Sequence, residues 1–251
     1  MFVSCTASTP RTAANIDAPL TVVSYNIRHG SGMDGRVDLS RTAAVLRALA
    51  PDIVGLQEVD QRVTRSDGVA QADSLGQLLN MHAAFGAFMD YQGGQYGMGI
   101  LSRHPIARVC PIRLPDGNEP RIALLVDVAL PNGDTISVVN VHFDWVGNDT
   151  LRFAQATVLA RVLDTLRTPY VLLGDFNDEP GSRTLAMFTS RAREMMKPVE
   201  DHFTFSSTAP TKEIDFIFAA PAGTWRDGAA RVVSEAVASD HRPVVATLRR
   251  R

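Results

Sequence analysis

Several apolar runs in the sequence end in side chains of the types that hydrolyse phosphate esters. Ile53-Val54-Gly55-Leu56 leads to Gln57-Glu58, Val138-Val139-Asn140-Val141 to His142, and Val171-Leu172-Leu173-Gly174 to Asp175-Phe176-Asn177. Asn26 stands near the end of a fourth run, and Ser239-Asp240-His241 comes immediately before a fifth. Strands that stop in charged groups place those groups at one edge of a sheet, within reach of a substrate. A phosphate ester is anionic, so water attacks it poorly and its transition state gathers charge on the phosphoryl oxygens. A hard cation on carboxylate and amide oxygens neutralises that charge, Mg²⁺ or Mn²⁺ being the natural choice. Asn26 and Glu58 offer such oxygens, Asp175 offers a base for the attacking water, and His142 and Asn177 offer donors to the phosphate. Asp215 lies inside the apolar run Ile214–Phe218, where a lone carboxylate is costly unless a cation or donor pairs with it. His241 is its natural partner.

Each residue has an ordinary structural role available. Asn26 can cap a turn, Glu58 can sit at a surface strand end, and His142 can be a satisfied core histidine. Asp175 and Asn177 can form an Asx-turn before Pro180-Gly181, and Asp240-His241-Arg242-Pro243 can be a turn. It is their joint occurrence at successive strand ends that argues for a site.

The elements that must position them alternate between strand-like and amphipathic segments from Leu20 onward, with no repeat and no low-complexity linker. Strands are expected over Leu20–Ile27, Asp52–Val59, Ile100–Val109, Ile122–Leu130, Thr135–Phe143, Tyr170–Leu173, Ile214–Phe218 and Val244–Leu248. Helices are expected over Leu39–Leu49, which Pro51 follows, over Gln71–Met81 and over Leu151–Leu166. Strands in hairpins together with strands separated by helices imply a mixed-sheet α/β protein, one domain over residues 19–251.

Of the 251 residues, 45% are hydrophobic and 21% charged, the composition of a globular protein, and no apolar stretch reaches membrane-spanning length. The net charge of -2, with only two lysines, Lys197 and Lys212, withdraws the simplest argument for nucleic acid as partner, because nonspecific affinity comes from cations neutralising phosphates. Two cysteines, Cys5 and Cys110, make neither a disulfide framework nor a four-cysteine zinc site. Residues 1–18 are expected to be a poorly ordered leader. Phe2-Val3-Ser4-Cys5 resembles the end of a bacterial lipoprotein signal, so two readings stay open: an exported lipoprotein acylated at Cys5, or a cytoplasmic protein with a chance cysteine. A monomer is expected.

The order Ser24-Tyr25-Asn26, Leu56-Gln57-Glu58-Val59, Gly99-Ile100-Leu101-Ser102-Arg103, Asn140-Val141-His142, Gly174-Asp175-Phe176-Asn177, Ile214-Asp215 and Ser239-Asp240-His241 resembles the endonuclease/exonuclease/phosphatase superfamily, the DNase I-like group. The resemblance spans about Leu20 to Leu248. It implies a four-layer sandwich, two mixed β-sheets face to face with helices outside. It also implies that Glu58, with Asn26 and Asp240, sits at a divalent metal and that Asp175 orients or deprotonates the attacking water. Asn177 and His142 would lie on the phosphate oxygens. His241 would contact the phosphate or move a proton, with Asp215 fixing its ring and charge state. One position departs from the apurinic-endonuclease branch: Arg28 stands where that branch has a carboxylate, so a second metal on that side is in doubt and Arg28 is a candidate anion holder instead.

Specificity residues are sought between the shared motifs. Arg65 and Tyr96 are candidates, the latter within a glycine-rich aromatic loop expected over Asp90–Gly97 and lying over substrate. Arg121, in Glu119-Pro120-Arg121, is a third, since arginine's fork suits anions. Arg62 and Trp145 have equally good solvated or core roles. These patterns are similar to a bacterial branch of metal-dependent hydrolases and to a domain of a eukaryotic protein that remodels glycosylphosphatidylinositol lipids. A small phosphorylated or phospholipid-headgroup substrate is therefore expected ahead of DNA or RNA, and a non-catalytic phosphate-binding domain comes last.

Overall fold

The computed structural model describes residues 19–226 and 228–249. The expected leader, with Cys5, lies outside the described residues. The strands are β1 (Leu20–Asn26), β2 (Ile53–Gln61), β3 (His82–Tyr91), β4 (Gly94–Ser102), β5 (Ile106–Arg113), β6 (Ile122–Ala129), β7 (Thr135–His142), β8 (Tyr170–Asp175), β9 (Arg193–Glu194), β10 (Asp215–Ala220), β11 (Ala230–Val232) and β12 (Val244–Leu248). The helices are α1 (Leu39–Leu49), α2 (Gln71–Leu79), α3 (Thr150–Leu163) and α4 (Arg183–Thr189).

Two six-stranded sheets result, in the orders β11-β12-β1-β2-β4-β3 and β5-β6-β7-β8-β10-β9. Both are mixed: β1 runs parallel to β2 and β7 parallel to β8, and the other pairings are antiparallel. Inward residues of both sheets, among them Val22, Ile53 and Ile100 from the first and Leu124, Val138 and Leu173 from the second, form one core between them. Their sequence neighbours point outward. Val23, Val54 and Leu56 meet Ala43, Leu46 and Leu75 of α1 and α2. Val139, Leu172, Phe216 and Phe218 meet Leu159, Leu163 and Phe188 of α3 and α4. The layers are therefore helix, sheet, sheet and helix, the expected four-layer sandwich. Because both faces of the central strands are covered, those strands read as continuous apolar runs rather than alternating ones.

Gly55 sits where the sheets approach most closely; a Cβ there would collide with Leu173 Cδ1 and stand 3.2 Å from Asn140. Asn140 is a polar staple across the same gap. Its Nδ2 donates to the Leu56 and Gly99 carbonyls (2.8 and 2.9 Å), and its Oδ1 accepts from Gln57 Nε2 at 2.6 Å.

Two sequence expectations are corrected. The strand over Ile100–Val109 is two strands in different sheets, broken at Arg103-His104-Pro105, where proline supplies no backbone donor. The loop over Asp90–Gly97 is the tip of the β3–β4 hairpin, with Tyr91 paired to Gly94 across Gln92-Gly93. Both turn residues have positive φ (44° and 82°), as a two-residue hairpin turn requires. Helix α4, capped by Ser182 Oγ on Leu185 N–H, was not anticipated.

Candidate active site

The edges of both sheets that carry the C-terminal ends of β1, β2, β7 and β8 converge on one cleft. Asn26, His142 and Asp175 are the last residues of β1, β7 and β8. Glu58 lies at an irregularity in β2 between Leu56 and Val59, with φ 56°, which turns it out of the ladder. Asp215 opens β10 directly opposite Asp175, while Asp240 and His241 precede β12 and Arg121 precedes β6. The cavity they share, about 340 Å³, is lined by Glu58, Tyr96, Arg121, His142, Asp175, Asn177, Asp240 and His241, with Glu119, Trp145 and Phe205 completing the wall. Larger hollows beside α2 and beside α3, about 540 and 450 Å³, hold no comparable set of groups.

At the base of this cavity the contacts are close. His241 Nδ1 lies 2.9 Å from Asp215 Oδ2, and its Nε2 lies 3.6 Å from Asp175 Oδ2. Asn26 Nδ2 donates to Glu58 Oε1 (3.0 Å) and Asp175 Oδ2 (3.2 Å), and Asn26 Oδ1 accepts from the Arg28 N–H. His142 Nε2 is 3.5 Å from Asp175 Oδ2. Asp175 Oδ1 accepts the Asn177 N–H at 2.9 Å, and Asn177 Nδ2 donates to the Phe143 carbonyl. Ser239 Oγ ties the β12 entry to β1 by donating to the Asn26 carbonyl at 2.7 Å.

Burial sets the protonation states. It disfavours the charge on His241, but the Asp215 and Asp175 carboxylates outweigh it and hold the imidazole up at about 10. His241 is thus an imidazolium anchored on Asp215. Burial pushes Asp175 up to about 7, although His241 opposes this, so the carboxyl titrates near neutrality. Burial, with the Arg121 and His241 charges, holds His142 well below its ordinary value and keeps it neutral. Burial raises the Tyr96 phenol well above its usual range, and the neighbouring Glu58 carboxylate adds to this.

Glu58, Asp240 and Asp175 bring carboxylates to one small cavity, the donor chemistry a hard divalent cation requires. The fit of Asn26 is partial, since it faces Glu58 with its amide nitrogen and must turn over to offer oxygen. Asp175, Asp215 and His241 also bring three ligand atoms within 4.8 Å of one another, a set compatible with a cation. Glu58 and Asp240 line the same cavity and offer carboxylate oxygens as an alternative set.

The remaining expected residues divide. Tyr96 and Arg121 line the cavity. Arg28 stands at its rim, 3.6 Å from Asp240. Arg65 is not brought to the cavity: its guanidinium grips the buried Asp60 with two bonds of 2.9 Å and lies against the rings of both Tyr91 and Tyr96 (4.7 and 4.8 Å). Phe205, whose ring is 5.0 Å from that of His241, was missed, and nothing local in the sequence marks it.

The match to known proteins follows the same geometry. No curated protein matches the chain. Among solved structures, an endonuclease/exonuclease/phosphatase from Beutenbergia cavernae is 27% identical with TM-score 0.72, over 92% of this chain and 72% of that one. A mannosyl-6-phosphatase from Bacteroides thetaiotaomicron (21% identical, TM-score 0.73, 91% and 99% covered) shares the fold. So does the human Nocturnin catalytic domain, solved with a bound sulfate (18% identical, TM-score 0.74, 93% and 95% covered). The family model matches residues 23–241, from within β1 to His241, and the chain belongs to the endonuclease/exonuclease/phosphatase family, whose members are hydrolases acting on phosphate esters.

Proposed function

We propose that the protein is a Mg²⁺- or Mn²⁺-dependent hydrolase of a small phosphate ester, a free phosphorylated compound or a lipid headgroup. The observation that carries this reading is the convergence of Glu58, Asp175 and His241 on one cavity, with Asp175 placed to titrate near neutral pH. A divalent cation held by Glu58 and Asp240, with Asn26 turned toward it, would neutralise charge on the phosphoryl oxygens. The chain's own residues do the rest. Asp175, oriented by the Asn177 N–H, accepts the proton of the attacking water. The imidazolium of His241, locked by Asp215, donates to a phosphoryl oxygen or to the leaving alkoxide. Neutral His142, its Nε2 beside the same Asp175 oxygen, offers its ring to the phosphate. The size of the cavity and the near-zero net charge favour a small ester over duplex DNA.

The test is hydrolysis of bis(p-nitrophenyl) phosphate and p-nitrophenyl phosphate with Mg²⁺ or Mn²⁺, with and without chelator. Turnover that chelator abolishes and that Asp175→Asn loses is expected. Equal rates in wild type and variant would remove Asp175 from the reaction, and no turnover of any ester would favour a phosphate-binding domain.

A further inference from the structure

Part of the cavity wall, Glu119, Arg121 and Trp145, comes from two segments that the hydrolytic chemistry does not use, residues 117–121 and 144–146. Arg121 is the most unusual residue in it. It is 1% exposed and permanently charged; its Nη2 meets Glu119 Oε2 at 3.1 Å, and Nε and Nη1 have no hydrogen-bond partner. The Phe88 ring beneath it, 5.0 Å away, offsets part of that cost. Beside it stands Trp145, an indole 57% exposed at the mouth of a small polar cavity.

The backbone that carries the tryptophan is nevertheless held in place. Asp144, fully buried, accepts the Asn118 N–H at 2.6 Å on one oxygen and the Val146 N–H at 3.1 Å on the other. Gln155 of α3 accepts the Asp144 N–H and donates to the Pro115 carbonyl. One carboxylate therefore fixes the Trp145 loop against the strand entry that carries Glu119 and Arg121. An exposed indole on a fixed backbone, lining the same cavity as a carboxylate and a guanidinium, brings an apolar platform, an acceptor and a donor together. That combination fits a ring with polar edges and apolar faces, which a sugar or inositol has and an alkyl or amino-alcohol headgroup lacks.

We propose that this wall is a specificity subsite for the alcohol portion of the substrate and that this alcohol is a cyclic polyol. Trp145 stacks on the ring face, and the Glu119–Arg121 pair accepts from one hydroxyl and donates to its neighbour. Asp144 acts as a positioning residue. The inference rests on the phosphoesterase reading above, and it applies equally to a free sugar phosphate and to an inositol lipid headgroup.

The experiment compares kcat/KM for mannose 6-phosphate, myo-inositol 1-phosphate and phosphatidylinositol in mixed micelles with that for ethyl phosphate and phosphoethanolamine. Wild type should favour at least one cyclic ester. Trp145→Ala and Glu119→Gln should each shrink that preference by about tenfold, through KM rather than kcat, as loss of one charged or stacking contact implies. Trp145 is exposed, so its removal does not threaten the fold. A second readout needs no turnover: free mannose or inositol should change Trp145 emission in Asp175→Asn, with Trp225 buried as a constant background. Preference for micellar over soluble cyclic esters would assign the lipid source, and the reverse the free one. Equal turnover of cyclic and acyclic esters, or variants that lose both alike, would overturn the subsite while leaving the phosphoesterase reading intact. Turnover of no ester would defeat that reading instead.

Discussion

The two sheets are built alike. Read in spatial order, β11-β12-β1-β2-β4-β3 matches β5-β6-β7-β8-β10-β9 pairing for pairing, antiparallel except at the central parallel pair. In each, a helix links that central pair, β1-α1-β2 in one and β7-α3-β8 in the other. Corresponding strand ends nonetheless carry different chemistry. The first sheet contributes Asn26, Glu58, Asp240 and His241, and the second contributes His142, Asp175, Asp215 and Arg121. The first sheet thus supplies most of the oxygen groups suited to a cation, and the second supplies the buried Asp175 with its neighbours His142 and Asp215. His241 is the exception, because it leaves the first sheet to rest on Asp215 and Asp175 of the second. What the difference teaches is that the reacting geometry belongs to neither sheet and is set by their mutual packing.

The largest effects should come from the groups that meet across the gap. Asp175→Asn should lower kcat by on the order of 10²- to 10⁴-fold, as expected for a general base, with the fold unchanged by circular dichroism. His241→Ala should lie in the same range, and the double variant should lose little more than either alone, because the two act as a unit. Full additivity of the two losses would mean that they serve separate steps. Glu58→Gln should act on the cation side and require at least about tenfold more Mg²⁺ for half-maximal rate, a shift typical of a perturbed metal site. An unchanged cation requirement would move the cation to another set of carboxylates.

Much of this was legible in the sequence because central strands buried on both faces are continuous apolar runs, and their polar ends stand out. Helix α1 was read to its true ends from its apolar spacing and from Pro51 beyond it; the cap that starts it, the Asp38 carboxylate accepting from the Ser40 and Arg41 N–H groups, is seen only in the structure. The pairing of Asp215 with His241 followed from the cost of a carboxylate inside an apolar run. The edges read poorly. β3 has half-exposed residues and several small ones, and β9 and β11 are two and three residues long, so hydrophobic pattern carries little signal there. The hairpin tip passed for a loop because Gln92 is not among the usual residues of such a turn. Arg65 looked like an anion holder because arginine's chemistry is the same whether its carboxylate is a neighbour's or a ligand's; only the position of Asp60 decides.

Proton linkage gives an intermediate effect with a definite sign. His241 holds its proton up to about 10 in the native chain against an ordinary 6.5. Its stabilisation is complete below about pH 6.5 and is lost as pH rises through about 10. Asp175, raised from 3.8 to about 7, acts in the same direction at lower pH, since the native state binds the extra proton there. Urea midpoints should therefore fall from pH 7 to 10, and His241→Gln should flatten the fall. A wild-type midpoint that rises over this range would reverse the assigned charge states.

Packing between the sheets can be probed at Gly55. Gly55→Ala forces Leu173 aside against Asn140, and overpacking of this kind costs about 1–3 kcal/mol. If the sheets' relative position sets the His241–Asp175 distance, kcat should fall along with stability, although Gly55 touches no reacting group. A variant destabilised to this degree with wild-type kcat would show that the cleft tolerates movement between the layers.

Arg65→Lys should have the smallest effect, and it separates scaffold from substrate contact within the first sheet. Lysine keeps the charge but loses the two-pronged grip on buried Asp60 and the guanidinium's contact with the Tyr91 and Tyr96 rings, at a cost of about 1 kcal/mol. Because Arg65 touches the Tyr96 ring without lining the cavity, KM should change by no more than about twofold, the scale of a small displacement. A tenfold rise in KM at unchanged stability would return Arg65 to the substrate and require the aromatic hairpin tip to open when substrate enters. The second sheet has its own brace, Arg152 to Asp178 at 3.0 Å below the Trp145 loop. Arg152→Lys is thus the matched control: if both variants lose stability without changing KM, each edge is held by an arginine set on a carboxylate, by two hydrogen bonds at Asp60 and by a single ion-pair contact at Asp178.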